Sequence, residues 1–172
     1  MRNTLFFTTG AALLLVQANL FRLTAHLPFH DLVPSLVLPL ILFMGVHEYS
    51  LVRGACVAFA LGYLTDLVGV APIGLYTSTY VAIFILARAA GVRLAAQTML
   101  MQVGLALAFT LAHSVMLLVL LAIFGRDAYV PRALYPMTLP HVAVTGVVAP
   151  LVFRIAGRIH AATMTGAPKE VA

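Results

Sequence analysis

Gly62-Tyr-Leu-Thr-Asp66-Leu-Val-Gly-Val-Ala-Pro72-Ile-Gly74 is the stretch that decides how this chain is read. It places one carboxylate inside the segment from Gly54 to Ala87, which carries no other charge. On insertion scales a charged side chain at the centre of a membrane helix costs roughly 2.5 to 3.5 kcal/mol, so such a group faces protein, water or the interface. Asp66 is therefore the first residue to question about function.

The sequence around it supports the membrane setting. Of 172 residues, 63% are hydrophobic and 9% charged, with a mean hydropathy of +1.07. A soluble domain hiding one core is less apolar than this; the composition predicts an all-α integral membrane protein whose helices are solvated by lipid. The length leaves no room for a separate globular domain, so residues 1–172 read as a single transmembrane domain. Ten Lys and Arg against five Asp and Glu give a net charge of +5. In this setting basic residues at span ends orient the chain and attract anionic lipid headgroups. No basic run is interleaved with aromatics, which argues against nucleic acid as a partner. The single cysteine, Cys56, excludes an intrachain disulfide framework and a cysteine zinc site.

At about 20 apolar residues per crossing, six spans are expected, over about 4–25, 32–46, 51–68, 72–90, 94–124 and 135–156. The first reads as a retained helix rather than a cleaved signal. The second is short and contains Pro34 and Pro39. The third and fourth are joined by a very short turn and form a tight antiparallel pair. The fifth, at roughly 31 residues or about 46 Å, is expected to tilt or project beyond the hydrocarbon. The sixth carries Pro136, Pro140 and Pro150, placed to kink or break it.

With six crossings and a cytoplasmic amino terminus, Arg2, Arg53, Arg88, Arg93, Arg154, Arg158 and Lys169 are inside, and Arg22, Arg126 and Arg132 outside. A re-entrant second segment gives five crossings and an equally strong bias with the amino terminus outside. Both arrangements make the carboxy terminus cytoplasmic and turn Asp66 outward.

Asp66 has two readings at this point, a helix-end carboxylate bonded to backbone or water, or a polar anchor in an interface or pocket. Gly54, Ala58 and Gly62 fall at i, i+4 and i+8 on one helix face, a small-residue stripe that packs either another helix of the chain or a partner's helix. His113 lies mid-span in the fifth helix near Thr110 and Ser114, and an intramembrane imidazole is a functional candidate whose ordinary role is an interhelical hydrogen bond. Gln17, Asn19, Gln97, Gln102 and His141 are available to such a network. Metal binding is disfavoured by spacing: His26 and His30 flank Pro28, and His47-Glu48 lacks the second histidine of a zincin motif. Asp66 has no second acid near it, no serine stands in a Gly-x-Ser-x-Gly setting and no phosphate loop is present, so nothing argues for an enzyme or a cofactor.

From Asp31-Leu-Val-Pro34-Ser-Leu through Arg53-Gly54 to Gly62-Tyr-Leu-Thr-Asp66-Leu and Pro72-Ile-Gly74-Leu, the order of features resembles the rod shape-determining MreD family. The resemblance covers about a quarter of the chain and is carried by glycines, prolines and one aspartate; Tyr63 departs from the aliphatic residue expected beside Gly62. It implies a non-enzymatic inner-membrane subunit of the bacterial elongation complex that binds MreC directly. Through MreC it would couple MreB filaments to wall synthases and regulate peptidoglycan synthesis and cell shape. It further implies a fold similar to the substrate-binding subunits of energy-coupling-factor transporters, which supplies the rival expectation of a small-solute binding subunit. On either view Asp66, Gly62, Gly54, Ala58, Pro72, Gly74 and His113 form the candidate interface or pocket, and a homodimer remains open.

Overall fold

A computed structural model describes residues 2–24, 34–47, 50–69, 72–90, 98–124 and 130–165. His26, His30, Asp31, Glu48, Arg93, Gln97, Arg126 and Lys169 lie outside the described residues. Six helices are present among those described: α1 (Arg2–Thr24), α2 (Val37–His47), α3 (Leu51–Val68), α4 (Leu75–Ala89), α5 (Met99–Phe124) and α6 (Val130–Thr165). Three stretches, Leu51–Val68, Met99–Phe124 and Pro140–Thr163, are long and apolar enough to cross a membrane.

Only α3 has both ends where the hydropathy pattern puts them. α2 begins at Val37 rather than near residue 32, because the backbone ahead of it bonds elsewhere. The Ser35 amide donates to Thr145 Oγ1 at 3.0 Å and the Leu36 amide to Gln17 Oε1 at 3.0 Å. Pro34 stays outside the helix, and Pro39 occupies its first turn, where no intrahelical N–H bond is required. α4 begins at Leu75 rather than Pro72, since Gly74 has φ +101°, a left-handed conformation that ends any helix running into it.

α5 begins at Met99, one residue after Thr98, whose carbonyl accepts the Gln102 amide at 3.0 Å and whose hydroxyl accepts the Met101 amide at 3.4 Å. Its 26 residues make about 39 Å, and positions 94–97 of the expected span lie outside the described residues. The longest helix is instead α6, with 36 residues, and it is not broken at Pro136, Pro140 or Pro150. Each proline removes one backbone donor, and the bonds of its neighbours carry the helix past it.

Side-chain contacts fix the helix directions. Phe6 packs on Phe43, Gly10 on Leu40, and Gln17 bonds the start of α2, so α1 and α2 are antiparallel. Gly45 of α2 meets Ala87 and the Arg88 amide of α4, so these two helices end together. Tyr76 and Tyr80 of α4 meet His113 of α5, while Thr145 of α6 meets Ser35 and Arg154 of α6 reaches Met99. The six helices therefore alternate in direction. One end of the bundle holds the start of α1, His47, Arg53, Arg88, Arg154, Arg158 and His160. The other holds the Asp66 to Gly74 corner, the end of α1 and the start of α6.

α2 is the axis of this arrangement. Every residue from Val37 to Val46 is buried, and α2 touches all five other helices. A helix that is apolar all round belongs inside a larger bundle. α5 has the opposite pattern. Its buried residues are Ala106, Thr110, His113 and Ser114, whereas Leu111, Val115, Val119, Ile123 and Phe124 are exposed. Polar groups inward and large apolar groups outward is an arrangement that lipid stabilises and water penalises.

Candidate functional site

Asp66 stands in the last turn of α3 and is 2% exposed. Its partners all belong to the beginning of α4. Oδ2 accepts the amides of Gly74 at 2.9 Å and Thr77 at 3.1 Å and the Thr77 hydroxyl at 2.6 Å, while Oδ1 accepts the Tyr76 amide at 2.8 Å. The remaining first-turn amide, Leu75, donates to the Pro72 carbonyl at 3.2 Å.

The reason for this arrangement is legible in the local sequence. A helix starts with four backbone donors that lack intrahelical partners, and a Ser, Thr, Asp or Asn at the N-cap ordinarily takes one or two of them. The N-cap of α4 is Gly74, which has no side chain to offer. Asp66 supplies the cap from the preceding helix, and its negative charge lies where the helix dipole favours it. The carboxylate thereby receives four donors, three on Oδ2 and one on Oδ1.

Reaching α4 requires that α3 and α4 approach closely. At Gly62 an added Cβ would lie 2.6 Å from Thr77 Cα and 2.9 Å from the Tyr76 carbonyl oxygen, so backbone is packed against backbone one turn before Asp66. At Gly54 the ring of Phe84 fills the space a side chain would take, and Ala58 between them is fully buried. The face carrying Gly54 and Gly62 is thus covered by α4. Pro72 is exposed at the corner, and Gly74 supplies its positive φ. Six of the seven candidate residues, Gly54, Ala58, Gly62, Asp66, Pro72 and Gly74, belong to this one helical hairpin.

His113 is the seventh, and the structure brings it to the same end of the bundle. It is 3% exposed, with ring centroids 5.3 Å from Tyr80 and 6.0 Å from Tyr76. Its Nδ1 is buried without a hydrogen-bond partner. Beside it lie Tyr76 and Tyr80, which the sequence did not single out; Thr145 in turn accepts the Ser35 amide. The Tyr80 phenol stands beside the hydroxyls of Ser35 and Thr65. One signal for this cluster is visible in the sequence, since Tyr76 and Tyr80 are four apart on one face of an otherwise apolar helix.

No family model matches the chain, and no curated protein or solved structure is significantly similar to it. The site must therefore be interpreted from its own chemistry. A carboxylate with both oxygens bonded to one helix start is a clamp, holding the corner of α3 and α4. Among the described residues, no group of three or more His, Cys, Asp or Glu side chains is gathered as a metal ion would require. The basic end carries a second aromatic cluster, in which His47 stacks on Phe43 at 4.1 Å and meets His160 at 5.7 Å.

Proposed function

We propose that this chain is a multi-pass membrane scaffold of the MreD kind, a non-enzymatic subunit of the bacterial elongation complex. On this reading it lies in the inner membrane, binds MreC, and through it links MreB filaments to the wall synthases that build peptidoglycan and set rod shape. The observation that carries the reading is the hairpin. Each residue of the Gly62, Asp66, Pro72 and Gly74 pattern is at the α3–α4 corner, and Asp66 is consumed in capping α4, as expected of a motif that marks an architecture rather than a reaction.

The alternating helix directions support six crossings with α2 as a short, protein-covered return. The arginines support the orientation: within the described helices residues 2, 53, 88, 154 and 158 lie at one end and 22 and 132 at the other. By the positive-inside bias the first end is cytoplasmic, which puts both α1's start and α6's end in the cytoplasm. A reporter fused at the amino terminus tests this; a periplasmic signal contradicts it.

Because α4 covers the Gly54 to Gly62 face, a partner helix must dock elsewhere. An open apolar groove of about 600 Å³ between α4 and α5, lined by Ile83, Leu86, Leu111, Val115, Met116 and Val119 among others, is where a crosslinking scan for MreC begins. Co-purification from detergent-solubilised membranes is the primary test. If folded protein captures no MreC and its depletion leaves rods unrounded, the reading fails.

A second reading, a small-solute binding subunit of the energy-coupling-factor type, is favoured by the unpartnered Nδ1 of His113 within a polar cluster. Its test is a metabolite carried through purification and seen by native mass spectrometry.

A further inference from the structure

α5 and α6 contain the two longest apolar stretches and lie side by side in opposite directions. At Gly146 of α6 the Leu107 side chain fills the space a Cβ would take. Arg154 of α6 reaches the first residue of α5, its Nη2 donating to Met99 Sδ at 3.6 Å. The two contacts share one antiparallel register. Along this seam the outward face of α6 is ordered: Val147, Leu151, Arg154 and Arg158 fall at i, i+4, i+7 and i+11, on one side of the helix, and all four are exposed. From Val147 to Arg158 the rise is about 16 Å, roughly half of a hydrocarbon core of about 30 Å. The stripe is therefore one leaflet deep, apolar toward the middle of the membrane and cationic at its surface. Met99, Leu100 and Met101 add exposed apolar side chains from α5.

Among the described residues Asp66 is the one carboxylate, and it stands at the opposite end of the bundle. The charges of Arg154 and Arg158 are thus uncompensated by any described side chain. A guanidinium carries five N–H donors, and the Met99 thioether is a weak acceptor that takes one of them. The others suit a group with several anionic oxygens, and arginine pairs with phosphate in that way. The start of α5, the positive end of its dipole, lies at the same place.

We propose that Arg154 and Arg158 at the α5–α6 seam bind the phosphate of an anionic phospholipid, whose acyl chains lie along Leu151 and Val147. A lipid rather than a soluble phosphate is the occupant, because the exposed apolar side chains continue the arginine face into the hydrocarbon, where a free anion gains nothing. Two guanidiniums without a described carboxylate favour a headgroup of net negative charge over a zwitterion, whose ammonium finds no partner there. Arg53 gives the contrast. It is exposed at the same end of the bundle, but α3 carries no second basic residue and, among the described residues, does not touch α6. The site requires only that α5 and α6 cross a membrane, and it holds whether or not the chain binds MreC.

The test is native mass spectrometry of the full chain in detergent, titrated with dioleoyl phosphatidylglycerol or dioleoyl phosphatidylcholine. Wild type is compared with Arg154→Gln, Arg158→Gln, the double variant and Arg53→Gln, each checked for folding by circular dichroism. The substitutions at the seam leave the inward residues Val152, Phe153 and Ala156 untouched. Wild type should retain phosphatidylglycerol in preference to phosphatidylcholine. Each single seam variant should lose about fivefold in phosphatidylglycerol affinity and the double variant about 25-fold, while Arg53→Gln matches wild type. An equal loss in Arg53→Gln means a diffuse field of charge rather than a site, and overturns the proposal. So does a chain that shows no preference for the anionic lipid, or a double variant that binds like wild type. Displacement of the lipid by inorganic phosphate at matched ionic strength assigns the arginines to a soluble anion and likewise overturns it.

Discussion

Replacing Asp66 with alanine removes the acceptor of three amides and one hydroxyl at once. The Gly74 amide lies at the exposed corner and is rehydrated. That of Thr77 is buried and that of Tyr76 part-buried, and a buried donor left unpaired costs about 1–3 kcal/mol. Loss of a negative charge at a helix start adds about 0.3–1 kcal/mol. The expected destabilisation is therefore about 2–7 kcal/mol, a large share of the roughly 5–15 kcal/mol that keeps a domain folded. Asp66→Asn keeps one carbonyl acceptor but turns an amide donor toward other donors, and about half the effect is expected. Unfolding by SDS in mixed micelles, followed by far-UV circular dichroism, gives the free-energy difference. Hydrogen exchange should show Tyr76 and Thr77 amides protected in the wild type and unprotected in Asp66→Ala. If both variants unfold within about 0.5 kcal/mol of wild type, as surface substitutions do, the clamp is wrong and Asp66 is free for other chemistry.

Gly62→Ala pushes a methyl into the Tyr76–Thr77 backbone and should cost about 1–3 kcal/mol or more, whereas Gly104→Ala and Gly157→Ala, with nothing within 4 Å of the new Cβ, should leave the unfolding midpoint unchanged. Gly74→Ala meets open space but keeps φ +101°, so a loss of about 1–3 kcal/mol from backbone strain alone is expected in the same assay. Thr145→Val leaves the buried Ser35 amide without its acceptor; about 1–3 kcal/mol should be lost, with exchange at Ser35 accelerating before that of the α3–α4 hairpin. Cysteine crosslinking between position 6 of α1 and position 43 of α2, whose rings lie 6.2 Å apart, should succeed in the native membrane, and a pairing of position 6 with the start of α2 instead would reverse the helix direction.

Much of the fold is written in hydropathy and in a few small residues. The bounds of α3 could be read because Ser50 precedes an apolar run and Gly69 follows it. The tight α3–α4 pair was legible from Pro72-Ile-Gly74. Helix starts set by distant partners were not legible. Gln17 and Thr145 determine where α2 begins, and no local pattern around Pro34 reveals an acceptor that lies 110 residues away. The role of Asp66 was half visible: its helix-end position followed from spacing, but its engagement of α4 depended on Gly74 being an N-cap without a side chain. The stripe of Gly54, Ala58 and Gly62 announces close packing and is silent about the partner, because a methyl-free face fits any helix equally well. The contacts that join Ser35, Tyr80, His113 and Thr145 were invisible for the same reason, since common residues on different helices acquire meaning only when the bundle closes.

On the proposed reading this architecture holds another membrane protein. Its most direct test is affinity purification of the folded full chain, verified by circular dichroism, from cells that co-express MreC. A stable complex at a fixed stoichiometry that survives gel filtration is expected, and Asp66→Ala should give it in proportion to the protein remaining folded. Folded wild-type protein eluting alone, with MreC absent from the peak, would contradict it.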